Sequence, residues 1–168
     1  MRYELLVDRT ESPNKCSILP LSYRSDFRIV RFDRRYPIAA LTGRVLLHPE
    51  GEVLEAPSAK ATLAGDDAFV LSAIDCNWKR LGRILAKVAA PLPPLVRIPD
   101  GFRTAYLRRN KRDEDPEQGL ATIEAVFLAA AFLGNWDETL LKEYAVADEF
   151  LAANAAAFDR YGLRPSPA

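Results

Sequence analysis

The sequence predicts an α/β fold, a mostly parallel sheet followed by a helical C-terminal portion. Three observations carry that expectation. Strand-like segments crowd the first hundred residues. One of them, Phe69-Val70-Leu71-Ser72-Ala73-Ile74, is a continuous apolar run of the kind that is buried on both faces of a parallel sheet. The last third of the chain instead places its apolar residues at helical spacing.

Taken in order, Tyr3 to Asp8 alternates into a first strand, with Leu5 and Val7 on one face. A loop with two prolines follows, and Phe27-Arg28-Ile29-Val30-Arg31-Phe32 alternates into a second strand. Gly43-Arg44-Val45-Leu46-Leu47 is a third, ended by His48-Pro49 because proline cannot donate to a ladder. The apolar run at 69–74 stops at Asp75, after which Trp78, Leu81, Ile84, Leu85 and Val88 mark a helix. Pro91-Leu92-Pro93-Pro94 breaks it, and Leu95-Val96-Arg97-Ile98 is a short fifth strand. A helix over about 121–133 has almost no polar residue after Glu124 and is expected to be buried all round. A second helix is expected from Asp137 to Tyr161. These elements divide into an N-terminal α/β lobe, 1–75, and a mainly helical C-terminal lobe, 76–168, within one continuous unit.

Composition narrows the function classes. With 168 residues, 49% apolar and 10% aromatic, the chain suits one domain and excludes both a disordered polymer and a large multidomain enzyme. No apolar run approaches the roughly 18 residues of a membrane span. The start, MRYELLVDRT, lacks the apolar stretch of a signal peptide, so a cytoplasmic location is expected, without membrane association. Two cysteines and one histidine exclude a His-based metal cluster, and no metal site is expected.

The net charge of zero hides a division. Residues 1–112 carry 20 basic and 12 acidic side chains, whereas 113–168 carry 3 and 11. Arginine supplies 17 of the 23 cations, the side chain suited to bidentate phosphate contacts. Between Arg97 and Arg112 six cations meet one acid, with Phe102 and Tyr106 interleaved, a pattern that suits looped RNA.

Ligands of open α/β sheets bind beyond the carboxyl ends of the strands. Asp75, beside Cys76, Asn77 and Trp78, sits at one such end, and His48-Pro49 at another. Two readings of Asp75 stand: a general base beside an aromatic wall, or an N-cap on the helix that follows. Trp78 and His48 each have a packing reading beside the functional one, and Asp100-Gly101 reads as a turn.

At Ile74-Asp75-Cys76-Asn77-Trp78 the chain resembles the aminocarboxypropyltransferases of small-subunit ribosomal RNA, whose apolar strand ends in D-C-S-W. Further segments resemble that family in the same order. Ser12-Pro13-Asn14-Lys15-Cys16-Ser17 is similar to its D-P-K-K-C-S/T, and Val45-Leu46-Leu47-His48-Pro49 to its L-L-S-P. Leu92-Pro93-Pro94-Leu95-Val96 is similar to its L-P-x-L-V, and Leu120 to Ala125 to its L-S-x-x-E-A. Phe150-Leu151, Asn154 and Tyr161 match its closing F-L-x-x-N and terminal Tyr. The departures are specific. His48, Asn77 and Ala121 each stand where the family has serine. The basic loop before Ala-Thr-Ile-Glu-Ala looks more like the related DTW-domain tRNA-uridine aminocarboxypropyltransferases.

The resemblance implies a SPOUT-like fold with a trefoil knot, S-adenosyl-L-methionine as cofactor, and transfer of a 3-amino-3-carboxypropyl group to N3 of a uridine or pseudouridine. Ribosomal RNA is the favoured substrate and tRNA the alternative. A SPOUT-like methyltransferase and a non-catalytic RNA-binding assembly protein are the other classes. It also implies roles. Asp75 is the base. Leu46, Leu47, Pro49 and Trp78 wall the adenine and the methyl, backbone at Leu95 and Val96 holds the ribose, and Ser17 and Thr122 bind the amino-acid end. Lys15, Arg103, Arg108, Arg109 and Arg112 hold RNA. A monomer is expected.

Overall fold

The computed structural model describes residues 1–10, 16–55, 69–106 and 119–163. Five strands, β1 (Arg2–Asp8), β2 (Phe27–Phe32), β3 (Val45–Val53), β4 (Val70–Asp75) and β5 (Leu95–Arg97), form one sheet. Its order is β2-β1-β4-β3-β5, and every neighbouring pair is parallel. The α/β expectation holds. Four α-helices accompany the sheet among the described residues: α1 (Leu81–Leu85), α2 (Thr122–Phe132), α3 (Ala147–Ala153) and α4 (Ala155–Tyr161).

Alternation along β1 and β4 divides the core between two faces. Tyr3, Leu5 and Val7 of β1, with Leu71 and Ala73 of β4, pack under α2, α3 and α4. Leu6 and Ile74 point the other way, onto Phe32, Ile38 and Leu41 and onto Leu81 and Ile84 of α1. In α2 only Thr122 and Ala125 are less than buried. Helix α2 therefore lies inside the molecule, where each large side chain such as Phe127 or Leu128 contributes roughly 1.5–3 kcal/mol by leaving water. The Glu4 carboxylate of β1 is buried on the second face. Glu4 accepts from Ser72 Oγ (2.9 Å), from Thr42 N–H (2.7 Å) and Oγ1 (3.0 Å), and from Arg28, so the burial is fully compensated.

Three boundaries differ from the sequence reading. Strand β3 does not end at His48-Pro49 but continues to Val53. Its register on β5 breaks between Leu47 and Glu52, so the proline sits at the irregularity and no ladder bond is asked of it. The helix expected to reach Val88 is a 3-10 turn, Trp78–Arg80, and then α1, ending at Leu85. Val88 instead forms a bridge with Ile38. The long C-terminal helix is a 3-10 turn at Glu138–Leu141 and then α3 and α4, separated at Asn154. Asn154 is buried, and its side-chain amide donates to Phe150 C=O (2.8 Å), four residues back, competing with the helix's own bond.

Candidate functional site

The carboxyl ends of β3, β4 and β5 and the first turn of α2 enclose a cavity of about 400 Å³. Its wall is mostly apolar, with Leu47, Pro49, Ile74, Trp78, Leu81 and Ile98 prominent, and it takes polar groups from His48, Arg97, Asp100 and Thr122. This is where ligands bind in open parallel sheets, and the size and lining suit a small organic molecule. The detour of β3 shapes one side. A Cβ on Gly51 would lie 2.4 Å from the backbone nitrogen of Val96, so only glycine lets β3 lie this close on β5.

Asp75 is not an N-cap. Asn77 performs that task, its side chain accepting from Lys79 N–H at 3.0 Å. The Asp75 carboxylate turns toward α2 instead. Thr122 Oγ1 donates to Oδ1 at 2.6 Å, and the Cys16 thiol donates to Oδ2 at 2.9 Å. Burial, reinforced by the Asp75 charge, pushes the Cys16 thiol up to about 12, so it remains a protonated donor at neutral pH. Asp75 itself is not on the cavity wall, whereas its neighbours Ile74 and Cys76 and its partner Thr122 are. A hydroxyl that donates to Asp75 can only accept from the cavity side, since it carries one proton and two lone pairs.

The other expected residues divide. Leu47, Pro49, Trp78 and Thr122 meet at the cavity. Leu46 does not; it is fully buried in the opposite-face core. Leu95 and Val96 are half-buried in β5, and the next two residues, Arg97 and Ile98, reach the wall in their place. Ser17 Oγ accepts from Ile123 N–H at 3.4 Å in the first turn of α2. The Ala121 side chain has no acceptor for that end of the helix, and Glu124 reaches back to take Ala121 N–H at 2.7 Å. Glu124 is fully buried and also accepts from Thr104 Oγ1, Ala105 N–H and Tyr144 Oη, fixing the segment after Phe102 to the helix. Arg103 is exposed, with its backbone N–H and C=O both held by the Asn154 side chain. Lys15, Arg108, Arg109 and Arg112 lie outside the described residues.

Besides Thr122, the polar wall residues are His48, which the sequence places at a strand end, and Arg97 and Asp100, to which it gives no cofactor role. His48 is buried, and its Nδ1 accepts from Glu50 N–H at 3.2 Å, which leaves Nε2 as the ring's donor. Arg97 and Asp100 form an ion pair at 3.5 Å near the exposed rim. Gly101, at φ +107°, makes the turn that Asp100-Gly101 announced.

The chain is similar to 16S rRNA aminocarboxypropyltransferases. The protein of that name from Halobacterium salinarum is 29% identical over 96% of this chain and 87% of its own length. The one from Vulcanisaeta distributa is 28% identical over 76% of this chain and 70% of its own length. The solved structure of the SAM-dependent rRNA:acp-transferase Tsr3 from Vulcanisaeta distributa matches with a TM-score of 0.65 at 23% identity. That match covers 95% of this chain and 82% of the other, and it shows a shared fold. No protein-family model matches the chain.

Proposed function

We propose that this protein transfers the 3-amino-3-carboxypropyl group of S-adenosylmethionine to N3 of a uridine or pseudouridine in small-subunit ribosomal RNA. One observation carries the reading. The similarity to 16S rRNA aminocarboxypropyltransferases runs nearly the whole length, and the motif residues Leu47, Pro49 and Trp78, far apart in sequence, converge with Thr122 on one cavity.

The cavity fits the cofactor's chemistry. Leu47, Pro49 and Trp78 offer an apolar wall for an adenine ring and a methyl group. The Arg97 guanidinium, on the same wall, suits a carboxylate. When bound, S-adenosylmethionine supplies an electrophilic propyl carbon on a sulfonium and leaves as methylthioadenosine. The chain's task is then orientation: the methyl is the least hindered carbon, so the apolar wall must screen it while the propyl arm stays open to the nucleotide. The N3 proton passes to the Thr122 hydroxyl, which gives its own proton to Asp75 Oδ1. Cys16, donating to Oδ2, holds the carboxylate in line. The same reading includes a SPOUT-like trefoil knot.

The test is to label S-adenosylmethionine separately on the methyl and the carboxyl carbon and to incubate each with the protein and small-subunit rRNA. The carboxyl label is expected in RNA and the methyl label in released methylthioadenosine. Methyl label in RNA would make the protein a methyltransferase, and no label in RNA would remove the reading.

A further inference from the structure

We propose a second RNA contact surface on this chain, formed by Arg9, Arg31, Arg34, Tyr36, Arg83 and Lys87, which holds the substrate strand beside the cavity. The inference rests on the group-transfer reading for the identity of the strand, and on the following observations for the surface itself.

All six side chains belong to exposed residues. Arg9 follows β1 and Arg34 and Tyr36 follow β2 at the carboxyl edge of the sheet, the edge at which the cavity opens. Contacts join Arg31 to Arg9 and Lys87 to the loop after β2. Arg31 Nη2 donates to Arg9 C=O at 3.4 Å, and Lys87 Nζ donates to Arg34 C=O. Ile38 N–H donates to Lys87 C=O at 2.9 Å, tying the loop after β2 to the end of α1. The surface continues into the cavity through α1, whose first residue, Leu81, lines the wall while Arg83 and Lys87 face solvent.

The charge is one-sided. From Cys76 to Pro99 the chain has five cations and no acid. None of Arg9, Arg31, Arg34, Arg83 and Lys87 makes an ion pair with a carboxylate among the described residues. Asp33, next to Arg34 in the chain, pairs with Arg35 and also interacts with Arg9. Exposed like charges repel one another and gain nothing from folding, so a concentration of them beside a cavity implies a polyanion that offsets the cost. Tyr36 narrows the class of polyanion. It is 61% exposed, with the Arg35 guanidinium 5.8 Å from its ring, and an open aromatic face among phosphate-binding cations suits an unpaired base. Arg9 and Arg34 follow strands one and two positions from β4, about 5–10 Å at ordinary strand spacing, so one strand can reach both this surface and the cavity.

The experiment measures binding of a fluorescein-labelled 20-nucleotide RNA hairpin with a uridine loop by anisotropy, from 50 to 200 mM salt. The full chain is compared with Arg34→Ala/Lys87→Ala, Tyr36→Ala, Tyr36→Phe and the control Arg2→Ala, an exposed cation at the opposite edge of the sheet. The double variant is expected to bind at least fivefold more weakly and to flatten the salt slope by about 1.4, or about 0.7 for each lost single-strand contact. Tyr36→Ala should weaken binding at least fivefold, Tyr36→Phe should restore it, and Arg2→Ala should match the parent. Parental affinity and slope in the double variant would overturn the proposal. So would an equal loss in Arg2→Ala, which would reduce the effect to net charge. Affinity for S-adenosylmethionine by calorimetry should stay unchanged in every variant, and a loss there would mean that the substitutions act on the cavity instead. RNA binding is read independently of group transfer, so this surface and the reaction stand or fall separately.

Discussion

Asn77 decides what Asp75 is available for. By capping the turn that follows β4, it leaves the Asp75 carboxylate to Thr122 and Cys16, which bring one proton donor to each oxygen. In the sequence Asp75 suits either a base or a cap, and the choice depends on a threonine 47 residues away. Asp75→Asn should lower turnover at least tenfold, the low end of general-base effects, with cofactor affinity by calorimetry near the parent's. Thr122→Val should cost as much, because it removes the hydroxyl between Asp75 and the cavity, and Thr122→Ser should recover most of the rate. Parental turnover in Asp75→Asn would dismiss the base. The Cys16 contact has a defined pH range. Its pKa is raised from an ordinary value near 9 to about 12, so the folded state favours the thiol. The stabilisation is complete below pH 9 and is lost as pH rises toward 12.

At the scale of elements, the readings that held are those that depend on local pattern. Strands β1, β2, β4 and β5 and helix α2 fall within one residue of their expected limits, because alternation and all-round burial leave a mark on every few residues. The failures have tertiary causes. Strand β3 passes its own proline because β5 re-pairs beyond the irregularity, and the C-terminal helix breaks where Asn154 leaves it to bind the Arg103 backbone. Gly51→Ala tests the first of these. With a Cβ 2.4 Å from Val96 N and 2.6 Å from its carbonyl carbon, the strands must part, which should cost about 1–3 kcal/mol in urea unfolding. A change below about 0.5 kcal/mol would show that the close approach is dispensable.

For the molecule as a whole, the cavity is a joint product of segments spread from Leu47 to Ala125, and none of it exists in the unfolded chain. Ligand binding there is therefore linked to global stability. S-adenosylmethionine at about 100 times its Kd should add about 2.7 kcal/mol and raise the thermal midpoint by several degrees in scanning calorimetry. An unchanged midpoint at that concentration would separate the cavity from the cofactor. Among the described residues no helix is long and apolar enough to cross a membrane.

The amino-acid sequence by itself determined the kind and order of the elements, the parallel character of the sheet and the carboxyl edge as the place to look. Those properties follow from periodicity and from where apolar runs stop, which are written locally. Tertiary structure alone decided the strand order β2-β1-β4-β3-β5, the exclusion of Leu46 from the wall, the arrival of Arg97 and Asp100 on it, and the pairing of Asp75 with Thr122 and Cys16. The physical reason is distance along the chain. Which donor meets which carboxylate is set by how whole faces pack, and no pattern within a dozen residues records it.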